Sequence, residues 1–456
     1  MTEYGFYSNL QAGLFYFSLL FDTSDSDSII GPGSSDSQEM IENISRHLSF
    51  PVRDVLESPF QVQFFCHFVN AMPHILTVPL DSDDQDDDPI MSVIVPMSVK
   101  DPMILKALLC VGASHLINCM PLGPDTDIRT LMANEKQRLL LEAGKRLASR
   151  AADLRDMQII GTVQKGDYEA LLAGYLLLYL FDLSEGTGDG SWQLRLDGAR
   201  DIIFEALGKR QGDNDDQGPS REELEDLGFD QFLIEFFIYH DILASVTAQR
   251  PRKSLISGSG DALMEEDRQE YMLGMDNGLI DFIGRIAILR SDAATALSAP
   301  GIAQAVCIWQ DIDKWRPFDA NRDSELSSSY CDIYEAYIAA CFIWLFSILH
   351  PGSLADDKVQ TMVRKGLESL LSMQIPCLLS FALYPVFVLG IACTGKEDRK
   401  VIEDQLEKIE KFRRFRNVQV CRSIIKDSWA AYDAGKTQSW NWIHLMKAQG
   451  VRVSVA

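Results

Sequence analysis

The amino-acid sequence predicts an all-α fold, a large irregular multi-helix bundle. Three observations lead to this prediction. From Pro59 onward, nearly every long segment places its apolar residues at helical spacing. Strand-like alternation is nearly absent, with Ile90–Val95 as one short candidate. No fixed period recurs along the chain, which argues against a regular solenoid.

The first clear helix start is at Asp101 and Pro102, because aspartate caps helix N-termini and proline is favoured at the first helical position. Tyr168–Leu183 is apolar nearly all round, which is typical of a helix at the centre of a bundle. We predict further helices at Arg129–Met157, with Glu142 and Arg146 as a supporting pair, and at Trp192–Leu207, Asp230–Val246, Asn277–Leu297, Tyr330–Leu349, Lys358–Met373, Cys377–Ala392, Arg399–Lys411 and Gln419–Tyr432.

The domain organisation follows from composition. Residues 1–50 are poor in basic groups and rich in Ser, Asp and Gly from Asp22 to Gln38, so we predict a variable, largely disordered segment. We expect residues 51–456 to form the helical domain, and an arrangement of two lobes meeting near Lys209–Pro219 is left open. Loops are predicted at Asp81–Pro89, Lys209–Pro219, Ser257–Asp261 and Pro317–Ser329.

Charge and cysteine usage exclude several classes of function. The chain has 66 acidic and 42 basic residues, a net charge of −24, so its bulk charge does not attract nucleic acid or an anionic membrane. Its nine cysteines contain no Cys-x-x-Cys and lie mostly in apolar surroundings, as in a reduced cytosolic or nuclear protein.

Two apolar segments are candidates for targeting or membrane insertion. Gly13–Phe21 resembles a signal-peptide core, but no basic residue precedes it and no small-residue cleavage site follows. Pro376–Cys393 is long enough to span a thin bilayer, but Pro385 interrupts it, and we interpret it as a buried core helix. A membrane-associated helical protein is the least favoured hypothesis.

Ser184–Trp192 (SEGTGDGSW) has three glycines on alternate positions and could be taken for a phosphate-binding loop. A dinucleotide fingerprint needs its glycines between a strand and a helix, and a P-loop needs Gly-Lys-Ser/Thr; neither condition is met. We therefore predict a helix–helix connection.

Three aspartates, Asp83, Asp84 and Asp87, have the spacing with which helical prenyl-diphosphate enzymes hold magnesium. Their neighbours are all acidic or polar and no second such motif follows, so a solvated acidic loop is the favoured interpretation. A magnesium-dependent helical enzyme acting on isoprenoid diphosphates remains the alternative function.

His115 and Cys119 lie four residues apart on a predicted helix, and Cys66-His67 could complete a metal site with them. Because His115 is at the centre of the apolar stripe, we favour a buried neutral histidine bonded to a carbonyl group. His240-Asp241 has no nucleophile at a diagnostic spacing, so no catalytic triad is predicted.

Lys411–Arg416 (KFRRFR) is the sharpest basic cluster. It could import the protein into the nucleus or contact phosphate, but it lies where a helix is predicted to end, and cations are favoured there. We favour the helix-end interpretation.

The order of several stretches resembles the fungal-specific transcription factor domain, the regulatory region that follows the DNA-binding zinc cluster of fungal zinc-cluster regulators. The resemblance covers most of the chain from Pro59. The stretches that carry it are Phe64–Leu80, Met91–Leu116, Leu176–Asp182, Ser191–Ile203, Tyr337–Leu345, Tyr384–Ala392, Trp429 and Trp440–Trp442.

This resemblance implies a nuclear regulator of RNA polymerase II genes that contacts the transcription machinery or co-regulator proteins, and that could bind a small effector or form a homodimer. The six-cysteine zinc cluster of such regulators is missing here. DNA contact would then come from a missing upstream segment, the one place where zinc is expected, or from a partner subunit. We predict no catalysis, no cofactor and no catalytic, cofactor-binding or metal-ligating residues in this chain.

Overall fold

Helices and their connections make up the part of the chain that the structure, a computed structural model, describes. The described residues are 41–42, 44–46, 52–78, 88–120, 126–160, 164–208, 221–248, 271–275, 278–292, 298–316, 325–373, 375–436 and 438–456. No β-strand occurs within these ranges, so the all-α prediction is confirmed. Predictions for residues 1–40, for most of Asp81–Pro89, and for Lys209–Pro219 and Ser257–Asp261 lie outside the described residues.

We number the α-helices along the chain. They are α1 (Pro59–Ala71), α2 (Pro73–Leu76), α3 (Val95–Lys100), α4 (Pro102–Cys119), α5 (Thr126–Ile160), α6 (Lys165–Glu185), α7 (Ser191–Ala206), α8 (Arg221–Asp226), α9 (Gln231–Thr247), α10 (Leu279–Asp292), α11 (Ala299–Lys314), α12 (Glu325–Leu349), α13 (Asp357–Ser372), α14 (Leu383–Ala392), α15 (Lys396–Arg413), α16 (Asn417–Asp433) and α17 (Trp442–Gln449). Two short 3-10 helices, Val52–Val55 and Pro376–Phe381, and a π-helical turn, Ile90–Ile94, complete the set.

The helix start predicted at Asp101 is confirmed. The Asp101 carboxylate accepts a hydrogen bond from the Met103 amide at 2.8 Å, and Pro102 occupies the first position of α4. This arrangement satisfies an amide that no helical carbonyl can reach. Helix α6, predicted to be central, is buried over most of its length.

Three sequence-based expectations need correction. The strand candidate Ile90–Val95 is helical, since the Asp88 carboxylate accepts the Ile90 amide at 2.7 Å and starts a helical turn there. Helix α12 begins at Glu325, inside the predicted loop Pro317–Ser329. Glu142 pairs with Arg138 at 2.6 Å, four residues before it, rather than with Arg146. The chain divides into two compact units, with boundaries after His74, Gln85 and Ala148.

Unit 1 comprises residues 1–74 and 86–148. Its core is the pair α1 and α4, which approach so closely that a Cβ added to Gly112 would lie 2.2 Å from the Phe64 carbonyl oxygen. A buried lysine, Lys106, reaches the Glu57 carboxylate at 2.6 Å. This ion pair offsets the cost of placing the ammonium group on the inner side of α4.

Unit 2 comprises residues 75–85 and 149–456. Every residue of α14 is buried, and the Trp442 ring contacts Phe387 of α14 and Trp344 of α12, with centroids 5.9 Å away in each case. Pro376–Cys393, predicted to be one core helix, is a 3-10 helix followed by α14, since the helix breaks at Ala382. Residues 380–393 are buried, as predicted, whereas Pro376 is exposed.

Two helices among the described residues are long and apolar enough to cross a membrane by composition alone, Pro102–Cys119 and Ser328–Leu349. Most of each is buried within the protein, at 78% and 61% of the tested window respectively. Core helices of proteins that never enter a bilayer have the same composition, so this feature gives the membrane hypothesis little weight.

Candidate functional site

The glycine loop connects two helices, as predicted. Gly186 ends α6 in the left-handed conformation with φ 57°, and Gly190 precedes α7 with φ 86°. Around the loop, the Arg452 amide donates to the Gly188 carbonyl at 2.8 Å and the Arg416 amide donates to the Ser184 carbonyl at 3.2 Å. The loop is therefore docked on the C-terminal part of unit 2, and its glycines serve backbone conformation and close approach.

Asp182 precedes this loop and is buried. Removal from water raises the pKa of its carboxyl to about 6, although the Arg195 guanidinium, with Nε 3.4 Å from Oδ2, lowers it in part. A carboxyl whose pKa is higher in the folded state than in the unfolded state binds protons more tightly when folded. Stability from this group is therefore present at low pH and is lost as the pH rises through about 6.

We expect Asp182→Asn to stabilise unit 2 more at pH 7 than at pH 4.5, with a difference of about 2 kcal/mol, since one pKa unit corresponds to about 1.4 kcal/mol. The asparagine side chain is nearly isosteric and carries no charge, so it removes the desolvation cost. Urea unfolding followed by tryptophan fluorescence measures this, because all seven tryptophans lie in unit 2.

Asp189, seven residues later, provides a control whose substitution should change the free energy of unfolding in the opposite direction. Its carboxylate accepts the Ser191 amide at 2.9 Å, and this hydrogen bond is the main cause of its lowered pKa. Asp189→Asn should therefore cost about the same stability at pH 7 and at pH 4.5, because both lie above the pKa of an unfolded aspartate, and should cost less only at lower pH. An identical pH response in the two variants would contradict both assignments.

The remaining sequence candidates differ in outcome. Asp83, Asp84 and Asp87 lie outside the described residues. His240 is buried, and its Nδ1 lies 3.3 Å from the Tyr179 hydroxyl, while its neighbour Asp241 pairs with Arg200. Burial holds the pKa of His240 well below its usual value, so the ring is neutral. These contacts give His240 and Asp241 structural partners on α6 and α7.

The basic cluster Lys411–Arg416 lies at the end of α15, as predicted. Its members do not form one exposed patch. Arg413 is 3% exposed and donates to the Ser380 carbonyl at 3.1 Å, whereas Lys411 is exposed and pairs with Glu407 at 2.6 Å. Arg414 ends the helix with φ 52°. The basic residues of this cluster therefore stabilise the end of α15 and the core beneath it, and they do not form a phosphate-binding patch.

His67, His115 and Cys119, by contrast, converge. His67 Nε2 lies 2.7 Å from His115 Nδ1, and Cys119 Sγ lies 3.8 Å from the same nitrogen. His115 is buried, as predicted, and the imidazole of His67 is the partner of its Nδ1. The ligand atoms of the three residues all lie within 4.8 Å of one another.

Sequence analysis missed one feature, an outward apolar row on α11. Ile302, Val306 and Trp309 follow helical spacing and remain 49%, 49% and 36% exposed; we call them the α11 stripe. The inward face of the same helix, Ala305, Ile308 and Ile312, is buried. Helix α11 itself could have been predicted from Ser298, which caps its N-terminus, and from the proline that follows in the first turn.

The α11 stripe extends onto α12 through one aromatic contact. The Trp309 ring meets the half-buried Phe342 ring edge to face, with centroids 4.7 Å apart. One turn beyond Trp309 on the same face, Asp313 is exposed. An exposed apolar row with aromatic continuation and a charged border is the usual composition of a protein-contact surface.

Comparison with known proteins gives one match. The model of the fungal specific transcription factor domain matches residues 63–456, nearly the whole chain. The chain belongs to this family. No curated protein and no solved structure matches it.

As a fungal-specific transcription factor domain, the chain is placed among regulators of transcription, and this confirms the resemblance seen in the sequence. Membership implies action in the nucleus. Membership in this family also argues against an enzymatic function. It does not support the alternative of an isoprenoid-diphosphate enzyme. The domain contains two candidate functional features. One is the α11 stripe in unit 2, and the other is the cluster of His67, His115 and Cys119 in unit 1.

Proposed function

We propose that this chain is the regulatory region of a nuclear transcription regulator of the fungal zinc-cluster type, which acts on RNA polymerase II genes through contacts with other proteins. The family match over residues 63–456 is the observation that carries this proposal. The net charge of −24 agrees with it, because a chain of this charge gains little from direct contact with DNA phosphates.

The α11 stripe is the surface that we assign to protein contact. About half the area of Ile302 and of Val306 is open to water. Covering such side chains gains about 25 cal/mol for each Å² of apolar area, so a partner with a complementary apolar face is favoured. The positions i, i+4 and i+7 match the spacing with which one helix contacts another.

The occupant that fits best is a short amphipathic helix of a co-regulator protein, with apolar residues on one face and basic residues at its edge. The border of the stripe supports this choice, because Asp313 is exposed on the same face of α11 and the chain as a whole is strongly acidic. A basic edge on the partner would speed association and set its orientation.

DNA contact, in this proposal, comes from a six-cysteine zinc cluster upstream of Met1 or from a partner subunit. A small effector and a homodimer belong to the same proposal, and no residue is assigned to either. Mapping the 5′ end of the transcript separates the two sources of DNA contact: a cysteine-rich exon supports the first, and its absence supports the second.

The regulatory role is tested by fusing the chain to an unrelated DNA-binding domain and measuring a reporter gene that carries its sites. We expect a change in reporter output, either activation or repression, and we expect a fluorescent fusion of the chain to accumulate in the nucleus. Unchanged output together with exclusion from the nucleus would overturn the proposal.

The contact surface has its own test in the same reporter strain. We expect the double variant Ile302→Asp, Val306→Asp to reduce the reporter response about tenfold, the change that a loss of about 1.4 kcal/mol of binding free energy produces. Leu194→Asp is the matched control, since Leu194 is 71% exposed on α7 of the same unit.

Two outcomes would contradict this assignment. One is an equal reporter response for the stripe variant and the control at equal protein level. The other concerns oligomeric state: the wild type sediments as a dimer, the stripe variant sediments as a monomer, and the two proteins do not differ in any other respect. The second result would assign the stripe to self-association.

A further inference from the structure

The cluster in unit 1 is built by the packing of two helices. His67 lies on α1, and His115 and Cys119 lie one helical turn apart on α4. Gly112 and Phe64, each three residues earlier on its own helix, are the point where the two backbones touch. Because no side chain separates the helices there, the side chains one turn further on can meet directly.

The three donor atoms lie within 4.8 Å of one another, close to the spacing of a metal site, and their side chains have to shift to reach it. Zinc binds imidazole nitrogen at about 2.0–2.1 Å and thiolate sulfur at about 2.3 Å, which places tetrahedral ligand atoms about 3.3–3.6 Å apart. Here the two nitrogens are 2.7 Å apart, and sulfur is 3.8 Å from the His115 nitrogen. Side-chain rotation alone could supply such shifts.

The surroundings favour neutral ligands that can bind a cation. A neutral imidazole offers a nitrogen lone pair, and the His67 and His115 rings face each other through the nitrogens that would bind the ion. His115 is buried, whereas His67 and Cys119 are half-buried, so the cluster is largely removed from water yet lies near the surface. Cys66, adjacent to His67 in sequence, is not among the converging groups.

We propose that His67, His115 and Cys119 bind one divalent transition-metal ion, of which Zn²⁺ is the best fit, and that this ion links α1 to α4. Two imidazoles and one thiolate are a borderline-soft ligand set that suits zinc, and water completes the tetrahedron as the fourth ligand. Binding releases the thiol proton of Cys119, since the thiolate is the ligand. This inference is independent of the proposed transcriptional function.

The experiment titrates the purified full-length chain, first stripped with a chelator, with Co²⁺ and then with Zn²⁺. We expect one Co²⁺ per chain, with a thiolate-to-cobalt charge-transfer absorption that Zn²⁺ abolishes on displacing it. Absorption spectroscopy at the zinc edge of the wild-type protein should then show nitrogen and sulfur ligands together, at about 2.0–2.1 Å and about 2.3 Å.

Substitutions test whether His67 and Cys119 are ligands of the ion. His67→Gln and Cys119→Ser should each weaken Zn²⁺ binding at least about 100-fold, more than the 10–100-fold typical of losing a group that only orients a ligand. His444→Gln and Cys307→Ser are the controls, since they remove an exposed imidazole and an exposed thiol elsewhere. Circular dichroism without metal shows whether each variant folds.

A second measurement locates the bound Zn²⁺ in the structure. Zn²⁺ should slow amide hydrogen exchange in peptides from α1 and α4 of the wild-type chain and leave the peptides of unit 2 unchanged. The proposal is overturned if Co²⁺ gives no charge-transfer band with the wild type, or if the His67→Gln and Cys119→Ser proteins bind Zn²⁺ as tightly as the controls. The cluster would then be a neutral histidine pair joined by a hydrogen bond.

Discussion

Gly112→Ala is expected to destabilise unit 1 by about 3 kcal/mol, the upper part of the range for forcing an extra carbon into a packed core. The added Cβ would lie 2.2 Å from the Phe64 carbonyl oxygen and 3.1 Å from its carbonyl carbon. Real carbon atoms do not approach backbone oxygen this closely. Because the obstacle is backbone and not a flexible side chain, α1 and α4 have to move apart.

Gly144→Ala is the matched control for this substitution. Gly144 also lies within a helix, in the part of α5 that belongs to unit 1, and a Cβ there would meet nothing within 4 Å. In open space the intrinsic preference for alanine in helices dominates, so this variant should gain about 0.5–1 kcal/mol. The same chemical change is therefore expected to have opposite signs at the two positions.

Hydrogen exchange measured by mass spectrometry is the suitable assay. Every tryptophan of the chain lies in unit 2, so tryptophan fluorescence does not report on unit 1 directly. Exchange in α1 and α4 peptides should accelerate strongly in Gly112→Ala and slow slightly in Gly144→Ala. Equal exchange in the two variants would show that α1 and α4 do not touch as described.

Arg200→Leu is expected to destabilise unit 2 by about 3–5 kcal/mol, the cost of leaving one partner of a buried ion pair without its counter-charge. The Arg200 guanidinium on α7 donates to the Asp241 carboxylate on α9, and the two residues are 7% and 2% exposed. Water has poor access at such burial, so the Asp241 carboxylate keeps its desolvation cost without the attraction of the guanidinium that offset it.

The double variant Arg200→Leu, Asp241→Leu tests the cause. Removing both charges also removes the buried carboxylate and its desolvation cost, so this protein should recover most of the lost stability, as is often seen when apolar residues replace both members of a buried ion pair. Arg285→Leu is the control, because its partner Asp311 is half-exposed and such pairs contribute about 1 kcal/mol or less.

Tryptophan fluorescence during urea unfolding measures all three proteins, since these residues belong to unit 2. If Arg200→Leu costs no more than Arg285→Leu, the pair is not buried as described. If the double variant is as unstable as the single one, the loss comes from packing and not from the isolated charge.

Comparison of single residues shows where prediction from the sequence succeeds. Asp101 begins a helix because its carboxylate reaches an amide two residues away, and that geometry is local. Gly186 ends α6 because its backbone adopts φ 57°, which glycine allows without strain. Ile90 was misassigned because a short apolar run fits a strand and a buried helical turn equally well.

The candidate sites are harder to predict from the sequence, because they join residues that lie far apart in the chain. His115 and Cys119 could be placed on one helix face from their spacing, but nothing local states that His67, 48 residues earlier, faces them. The same limit applied to Arg413, which is buried although it belongs to the most basic segment of the chain. The α11 stripe was missed together with its helix.

The sequence by itself therefore determined the helical class, several helix starts and ends, and the family, because spacing and capping depend on residues within about one turn of each other and the order of motifs is linear. Tertiary structure alone decided which helix faces are covered. It brought His67 to His115, paired Arg200 with Asp241 and left Ile302 open to water, since these contacts join residues far apart in the chain or depend on neighbours that only the folded state supplies.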